Sequence, residues 1–404
     1  MDCPVDRLRL QDLVTLCVAS LLCLGALMVQ SAAMNVSGHL GWQWTDRGVR
    51  HLIYAGIAFI TFLIVGRLDY TRLLGGSPRS PWRSPIVWVL GVATFLCAMV
   101  LVPGIGLEKN GARRWLPLGP VQVQPSEIAK WATVLFLAWW LTLGKSDLSR
   151  FRSLMVMLAP IGAACLFIVI EDFGTAVLIG LCAFAMLLCS GRVKKWHLLM
   201  LIPPLLAAAA WFIMHKEYRL RRMMAFLDPW AAPRGEGYHM VQSLLSFSTG
   251  GITGKGLGNG VQKLGYLPED TTDFIFAVVC EELGLFGALL TIAMYAGIAF
   301  VAWQIIRSRR DSFGRFLAFG IATMVCLQAV INIAVATVSV PTKGLSLPLV
   351  SAGGSGLVIA CGALGLLASV CRFEHAEDRL PDPAARPDNH RVGESDWQAW
   401  TVAG

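Results

Sequence analysis

Apolar segments of membrane-spanning length follow one another along most of the chain, separated by polar connections. A helix of about 20 residues crosses the hydrocarbon core of a bilayer, and backbone groups in hydrocarbon must be satisfied within the spanning segment. We therefore predict an all-α fold: a polytopic inner-membrane protein with ten transmembrane helices and one large extracytoplasmic loop between helices 7 and 8. The predicted spans are 13–33, 51–66, 85–103, 126–143, 154–170, 174–190, 197–214, 280–306, 316–338 and 353–371.

The composition agrees with this pattern and excludes a large soluble domain. Of the 404 residues, 55% are hydrophobic and only 15% are charged, whereas a water-soluble domain has about 25% charged residues. The eleven cysteines lie in or beside apolar segments, apart from Cys3, which predicts buried side chains and no disulfide framework. The seven histidines show no metal-ligand spacing, so we predict no structural metal site.

Basic residues concentrate in four short connections, and this asymmetry predicts the orientation. The connections are 67–84, 144–153, 191–196 and 307–315. With ten spans, all four lie on the same side of the membrane as the N-terminus, and short loops rich in Lys and Arg face the cytoplasm. We therefore predict that both termini are cytoplasmic.

The chain then divides into three parts. Residues 1–12 form a cytoplasmic N-terminus, 13–371 form the membrane domain, and 372–404 form a cytoplasmic tail. The tail is rich in Pro, Asp, Glu and Arg. Because such a composition cannot bury enough apolar surface to fold, we predict that the tail is disordered.

The segment 215–279 is far longer than a usual connection between helices, and the topology places it outside the cell. It is basic, and another outer loop contains Arg113 and Arg114. This charge favours an anionic ligand such as a phosphate. An interfacial helix at 218–230 that contacts anionic lipid headgroups would explain the same residues, and the pattern alone leaves both interpretations open.

Carboxylates cluster where this loop meets the next apolar segment. Glu269, Asp270 and Asp273 lie in the sequence LPEDTTDFIF. A carboxylate inside the membrane costs about 2.5–3.5 kcal/mol or more, whereas one at the boundary with water can ionise and still face a substrate whose tail lies in lipid. Asp273 is therefore a candidate acid–base group. The alternative is that Asp273 only caps the following helix.

Four other charged residues lie in or beside predicted spans. Glu127 and Lys130 are three positions apart, so they share a helix face and can pair. They form either an ion pair between helices or part of a substrate cavity. Asp172 lies in a very short outer turn, where it either caps the sixth span or supports the cavity. Glu281 is expected to be paired or to face a cavity.

The glycine-rich segment 250–260 contains Lys255 but does not read as a nucleotide-binding loop. The Walker spacing is absent and no strand precedes the segment. Its glycines are better explained by sharp turns or by close approach of the backbone to another group. Lys343 lies in a second segment with glycines, 341–356, where small residues allow close helix packing.

Four segments together carry a family resemblance. They are GARRWLPLGPVQVQPSEIAKW at 111–131, EDFGTA at 171–176, LGYLPEDTTDFIFAVVCEELG at 264–284 and PTKGLSLPLVSAGGSG at 341–356. In this order they resemble the SEDS family, the shape, elongation, division and sporulation proteins typified by FtsW, RodA and SpoVE. The resemblance covers essentially the whole membrane portion. KGLSLPL and the GARRW–QPSE loop look most like the division-type branch typified by FtsW.

The resemblance implies a function and a set of partners. It implies ten helices and a peptidoglycan glycosyltransferase that polymerises lipid II, the undecaprenyl-pyrophosphate-linked disaccharide pentapeptide. It also implies a class B penicillin-binding protein (FtsI-like) and other division proteins as partners. The family's essential acidic residue falls on Asp273. We expect no organic cofactor and no nucleic-acid partner.

A mechanism follows as a hypothesis from this resemblance. Asp273 would act as the general base on an acceptor sugar, and cations would stabilise the leaving pyrophosphate, with Mg²⁺ or Mn²⁺ as a bridging ion. The candidate cations are Arg113, Arg114, Lys255, Lys263 and Lys343. The supporting charges near the membrane are Glu127, Lys130, Asp172 and Glu281.

Alternatives and departures accompany this hypothesis. A RodA-like elongation polymerase would share the chemistry. A lipid-linked precursor flippase would use Glu127, Lys130 and Asp172 as gating charges, and a scaffold would use no carboxylate at all. The chain has Thr271 where the family usually has His, Glu171 where Pro is common, and Ala352 where Tyr is frequent.

Overall fold

The computed structural model describes residues 9–34, 45–74, 83–109, 112–119, 121–143, 148–215, 217–235, 237–309 and 311–373. The predicted disordered tail beyond residue 373 lies outside these ranges. The N-terminal segment before residue 9 also lies outside them.

Twelve α-helices form most of the described part of the chain. They are α1 Leu10–Ala32, α2 Asp46–Val65, α3 Pro85–Val100, α4 Pro125–Thr142, α5 Phe151–Glu171, α6 Phe173–Ser190, α7 Lys195–Met214, α8 Glu217–Leu227, α9 Tyr238–Gly250, α10 Ile275–Ser308, α11 Ser312–Ala336 and α12 Ser355–Arg372. Two short 3₁₀ segments, Tyr70–Leu74 and Pro229–Ala231, lie in connections.

Each predicted span overlaps a helix. Within the described ranges, eight helices are long and apolar enough to cross a membrane, namely α1, α2, α5, α6, α7, α10, α11 and α12. The remaining two are α3, which is apolar but has only 16 residues, and α4, whose apolar sequence is interrupted by Glu127 and Lys130. The protein is therefore a multi-pass membrane protein with an all-helical membrane portion.

A small antiparallel sheet departs from the purely helical prediction. Its strands are β1 Leu107–Lys109, β2 Ala112–Leu118 and β3 Val121–Val123, in the order β1-β2-β3. The sequence did not predict it, because two of the strands have only three residues each and none shows a sustained alternation of apolar and polar positions. The sheet presents Arg113 and Arg114 from adjacent positions of β2.

Two helices begin five residues earlier than predicted. α2 begins at Asp46 rather than at 51, and the Thr45 hydroxyl accepts a hydrogen bond from the Gly48 amide at 3.1 Å as its N-cap. α10 begins at Ile275 rather than at 280 and is interrupted at Gly284, whose φ of 65° is not helical. Residues 275–279, the first of α10, therefore lie in the segment predicted to be the outer loop.

That outer loop is largely structured. It contains α8 and α9, followed by the glycine-rich segment. α9 is fixed to the bundle, since the buried Ser243 hydroxyl donates to the Ala336 carbonyl at 2.6 Å. α8 leaves Leu220, Met224 and Leu227 exposed, as expected for an amphipathic helix at a membrane surface.

Small residues bring the membrane helices close together. A Cβ on Gly365 of α12 would lie 2.8 Å from the Phe62 carbonyl of α2, and one on Gly25 of α1 would lie 2.7 Å from the Val350 carbonyl. Real Cβ atoms do not approach backbone so closely. Glycine at these positions therefore sets the spacing around α12, in the manner of small-residue packing in membranes.

Candidate active site

A cavity of about 660 Å³ lies at the end of the bundle that carries the large loop. Its walls come from β2, α4, α6, α8, α9, α11, α12, the segment before α10 and the segment before α12. The polar and charged side chains that line it include Arg114, Gln124, Glu127, Lys130, Asp172, Thr175, Arg222, His239, Glu269, Thr272, Asp273, Gln328 and Lys343.

Asp273 lies in a segment that is held on both sides by hydrogen bonds. The Asn332 side-chain amide donates to the Asp273 carbonyl at 2.8 Å and to the Leu345 carbonyl at 2.7 Å. The Ser351 hydroxyl donates to the Thr272 carbonyl at 2.6 Å. These bonds join the segment before α10 to the segment before α12. They fix the backbone at Asp273, and the Asp273 side chain lines the cavity.

Asp273 does not cap α10. Phe274 is the N-cap residue of that helix and no side chain supplies a cap hydrogen bond there. The capping interpretation of Asp273 is therefore wrong.

The electrostatic surroundings of Asp273 suit a base that works near neutral pH. The pKa of Asp273 is raised to about 7, chiefly by burial and also by the neighbouring Glu269 and Asp172 carboxylates, while Arg114 and Arg222 act in the opposite direction. A general base is most effective when its pKa lies near the operating pH. The carboxyl group thus has the protonation behaviour that proton transfer requires.

Arg114 and Lys343 supply positive charge on one side of Asp273. A methyl group added at Gly344 would lie 3.5 Å from Asp273 Oδ2 and 3.6 Å from Arg114 Nη1, so both side chains reach the same point. Arg114 is oriented by donating from Nε to the Glu171 carbonyl at 2.9 Å. Lys343 Nζ lies 5.3 Å from the centre of the Phe173 ring, and burial lowers the pKa of this lysine.

Arg113 lies outside the cavity. Its Nε is 3.4 Å from Glu108 Oε2, and its backbone amide donates to Glu171 Oε2 at 3.0 Å. Successive residues of a strand point to opposite faces, which explains why Arg114 reaches the cavity and Arg113 does not. Glu171, one of the departures from the family pattern, thus accepts hydrogen bonds from both neighbouring arginines.

The structure does not bring Lys255, Lys263 or Glu281 to the cavity. Lys255 Nζ pairs with Glu281 Oε1 at 2.9 Å. Lys263 Nζ pairs with Glu282 Oε1 at 2.7 Å and donates to Ser31 Oγ of α1 at 2.7 Å. Lys263 and both carboxylates are buried. These two ion pairs, which we call the buried cluster, attach the glycine-rich segment and the residues directly after it to α10 and α1.

The glycine-rich segment fits against the break in α10. The Lys255 and Gly256 amides donate to the carbonyls of Glu281 and Glu282 at 3.0 and 2.9 Å, which replaces helical bonds lost at Gly284. A Cβ on Gly254 would collide with the Glu282 carbonyl. The glycines therefore allow a close backbone approach, as the sequence suggested, but the group that they approach is the backbone of α10.

Glu127 and Lys130 are both an ion pair and part of the cavity wall. Lys130 Nζ lies 2.9 Å from Glu127 Oε1 and donates to Gln328 Oε1 at 2.8 Å. Gln328 in turn donates to the Ser346 carbonyl at 2.8 Å. Through Gln328 the pair links α4 to α11 and to the segment before α12, and it also lines the cavity. That this cavity holds a substrate stays a prediction.

Asp172 also has two roles. Its carboxylate accepts hydrogen bonds from the Thr175 amide at 3.1 Å and the Thr175 hydroxyl at 2.8 Å, which caps α6. Gln124 donates to the same carboxylate at 3.4 Å. The cap therefore forms part of the cavity wall and holds a negative charge near Asp273.

Sequence reasoning missed two side chains of the cavity as site residues. Arg222 comes from α8, in the segment for which the sequence left both an anionic ligand and lipid headgroups open, and the spacing of basic residues there did not indicate which of them lines the cavity. His239 of α9 lies in a sequence without a recognisable motif, so nothing indicated that it would line the cavity. Both reach the cavity only because α8 and α9 fold back over the bundle.

The fold and the site together define a multi-pass membrane protein with a carboxylate-and-cation cavity beside the structured loop between α7 and α10. A family model described as "Cell cycle protein" (FtsW/RodA/SpoVE) matches residues 11–376. The chain belongs to this family, and the family expected from the motifs is thereby confirmed.

Curated relatives support the division-type branch. The chain is 39% identical over 369 residues to the "Probable peptidoglycan glycosyltransferase FtsW" of Thioalkalivibrio sulfidiphilus, covering 90% of each chain. It is 37% identical over 361 residues to the protein of the same name from Coxiella burnetii, covering 88% of this chain and 94% of that one.

Solved structures share the fold. A chain from a study of structural coordination of polymerization and crosslinking by a peptidoglycan synthase complex superposes with a TM-score of 0.70 at 28% identity, covering 89% of this chain and 96% of that one. The rod shape determining protein RodA of Thermus thermophilus gives a TM-score of 0.62 at 26% identity, covering 89% of this chain and 95% of that one.

Proposed function

We propose that this protein is a peptidoglycan glycosyltransferase that polymerises lipid II into β-1,4-linked glycan strands for the septal wall. Family membership and the names of the relatives support the class of enzyme and the division role. The observation that carries the proposal for the site is the placement of Asp273 and Arg114 around one point of a polar cavity, with Lys343 beside them.

The reaction needs a base and a site for a departing anion. Asp273 takes the proton from the 4-hydroxyl of the acceptor N-acetylglucosamine. That oxygen forms a bond to C1 of the donor N-acetylmuramic acid from the face opposite the diphosphate. The bond from C1 to the diphosphate oxygen breaks, and undecaprenyl pyrophosphate leaves with the electron pair. A positioned base contributes about 10²–10⁴-fold to such a step.

The cations of the cavity hold the diphosphate as its charge develops. Arg114 and Lys343, which the sequence singled out, are joined there by Arg222. Arginine suits this task because its planar group donates two hydrogen bonds to one phosphate. Lys255 and Lys263 are already paired with carboxylates, so we assign them to the support of the loop.

A divalent ion remains a prediction. Among the residues that the structure describes, no three His, Cys, Asp or Glu side chains are arranged to hold a metal ion. Mg²⁺ is commonly held by one or two carboxylates together with substrate phosphates and water. An Mg²⁺ or Mn²⁺ ion that arrives with the diphosphate would therefore take most of its ligands from the substrate.

The proposal includes a location and a partner. The protein lies in the cytoplasmic (inner) membrane with both termini in the cytoplasm and the cavity on the outer side, where the diphosphate of lipid II is presented. Its partner is a class B penicillin-binding protein of the FtsI-like kind, within the division machinery. The solved relative from a synthase complex that coordinates polymerization with crosslinking supports such a pairing.

The decisive experiment is glycan synthesis by the purified full-length protein from labelled lipid II, alone and with a class B penicillin-binding protein. Moenomycin is added to silence contaminating polymerases of the other type. We expect glycan ladders from the wild-type protein and none from a folded Asp273→Ala variant. Polymerisation by Asp273→Ala at the parental rate would show that the assignment of the base is wrong.

The same preparation tests the alternatives. Transport of lipid II in proteoliposomes without glycan synthesis would favour a flippase. Division activity that tolerates alanine at every carboxylate of the cavity would favour a scaffold. Complementation of elongation but not of division would favour the RodA-like role.

A further inference from the structure

The ring of His239 forms part of the cavity wall and is stacked on a second ring. It lies parallel to the Phe274 ring, with 6.0 Å between ring centres and 14° between planes. Phe274 is buried and directly follows Asp273 in the chain. His239 is half-buried and lines the cavity. The pair therefore forms a two-ring layer whose outer member meets the cavity.

α9, which carries His239, is fixed to the bundle at its middle and at its C-terminal end. The Ser243 hydroxyl donates to the Ala336 carbonyl in the last turn of α11 at 2.6 Å. At the C-terminal end, Gly250 packs so closely on α10 that a Cβ there would collide with the Cys280 carbonyl. A wall that is held in place in this way can orient a bound ring at a lower entropic cost.

The cations and this two-ring layer both lie next to Asp273. Asp273 Oδ2 and Arg114 Nη1 approach the same point at Gly344, and Lys343 is the preceding residue of the chain. The chain also passes directly from Asp273 to Phe274, on which the His239 ring is stacked. The cavity wall thus presents both cations and an aromatic layer close to the same carboxyl group.

We propose that His239, supported by Phe274, is the platform on which the acceptor sugar rests, and that the donor diphosphate occupies the side of Arg114 and Lys343. This inference rests on the proposed function. The base must be within hydrogen-bond reach of the acceptor hydroxyl, and a diphosphate needs the cations. The C–H face of a hexose carries slight positive charge and packs against the negative face of an aromatic ring.

The test uses two lipid II analogues that each play one part. In the donor, the 4-hydroxyl of N-acetylglucosamine is methylated, so it cannot accept. In the acceptor, C1 of N-acetylmuramic acid is a prenyl ether without a leaving group, so it cannot donate. The product is one tetrasaccharide, and the KM of each analogue is measured separately with the full-length protein and whichever partner its activity needs.

For His239→Ala we expect the acceptor KM to rise about three- to tenfold, since ring contacts of this kind are worth about 0.5–1.5 kcal/mol, and we expect the donor KM to stay within about twofold. His239→Phe keeps the platform and should stay within about twofold of the wild type for both. His197→Ala is the matched control. The His197 ring packs against the Phe151 ring, with 5.6 Å between ring centres, and neither residue lines the cavity.

Each outcome is decisive. An unchanged acceptor KM in a folded His239→Ala variant, a rise confined to the donor KM, or a His239→Phe variant as impaired as His239→Ala would overturn the platform. These results would leave the glycosyltransferase assignment intact. The absence of any tetrasaccharide from the wild-type protein would instead overturn the proposed function, and the platform with it.

Discussion

The cavity around Asp273 and the buried cluster lie at the same end of the helical bundle and use the same residue types in opposite ways. In the buried cluster each lysine pairs with its own carboxylate at 2.7–2.9 Å, and three of the four side chains are buried, while Lys255 is 30% exposed. In the cavity, Asp273, Arg114 and Lys343 surround about 660 Å³ of space. The comparison shows that a charged side chain is available to bind a ligand only where no oppositely charged side chain of the protein already pairs with it.

The largest expected effect is the loss of activity when Asp273 of the cavity is replaced, compared with a nearby carboxylate outside the cavity. Asp273→Asn should lower kcat for glycan synthesis about 10²–10⁴-fold, because the amide cannot accept the proton. Asp270→Asn is the matched control, since Asp270 lies three residues earlier but does not line the cavity. Rates with labelled lipid II provide the measurement. Equal losses in the two variants would contradict the assignment of Asp273.

Replacing a lysine of the buried cluster should lower the stability of the protein, whereas replacing Lys343 of the cavity should not. Lys263→Met leaves Glu282 buried without its cation, and removing one partner of a buried pair costs about 3–5 kcal/mol. Lys255→Met should cost less, since the Lys255 side chain is 30% exposed. Thermal unfolding in detergent measures both. Lys343→Met should leave the unfolding temperature nearly unchanged, and a large drop there would mean that Lys343 is structural.

Neutralising the cations of the cavity should reduce activity with little change in stability. Arg114→Gln is expected to lower kcat/KM about 10- to 100-fold, the range that one or two charged hydrogen bonds supply. Arg113→Gln, one residue earlier on β2 and paired with Glu108, should have an effect below about threefold on the same scale. A larger loss from Arg113→Gln than from Arg114→Gln would mean that the opposite face of the strand meets the substrate.

The smallest expected effect is a shift in the pH profile. Only the ionised Asp273 accepts a proton, so kcat/KM should rise with pH through the pKa of about 7. Glu269→Gln removes a like charge that raises the pKa of Asp273, so the midpoint of this rise should move to lower pH. Glu108→Gln, at an exposed carboxylate outside the cavity, should leave the midpoint in place. A midpoint that moves upward in Glu269→Gln would contradict this electrostatic account.

Sequence motifs located the centre of the candidate site but not its limits. Asp273, Arg114 and Lys343 lie in three separate motifs, and the structure brings them together. Lys255 and Lys263 look equally suitable in the sequence, because both lie among glycines in a basic loop. Only the fold reveals that Glu281 and Glu282 neutralise them. Burial and partner choice depend on contacts between distant segments, which local pattern does not contain.

The same limit applies to the elements of the fold. Long apolar periods predicted the membrane helices well, since each span is specified by its own composition. The sheet at β1–β3 and the break at Gly284 depend instead on what packs beside them. His239 is the clearest case, because its place in the wall follows from how α9 returns over α10.

The break in α10 also divides a membrane-crossing helix from a segment that belongs to the candidate site. The part after Gly284, residues 285–308, is about 36 Å long at 1.5 Å per residue and can cross the hydrocarbon unaided. The preceding residues 275–283 connect two fixed points, since Asn332 of α11 binds the Asp273 carbonyl and Ser31 of α1 binds the Glu282 carboxylate. The longer part of α10 can therefore span the bilayer, and the shorter part ties the candidate base to the bundle.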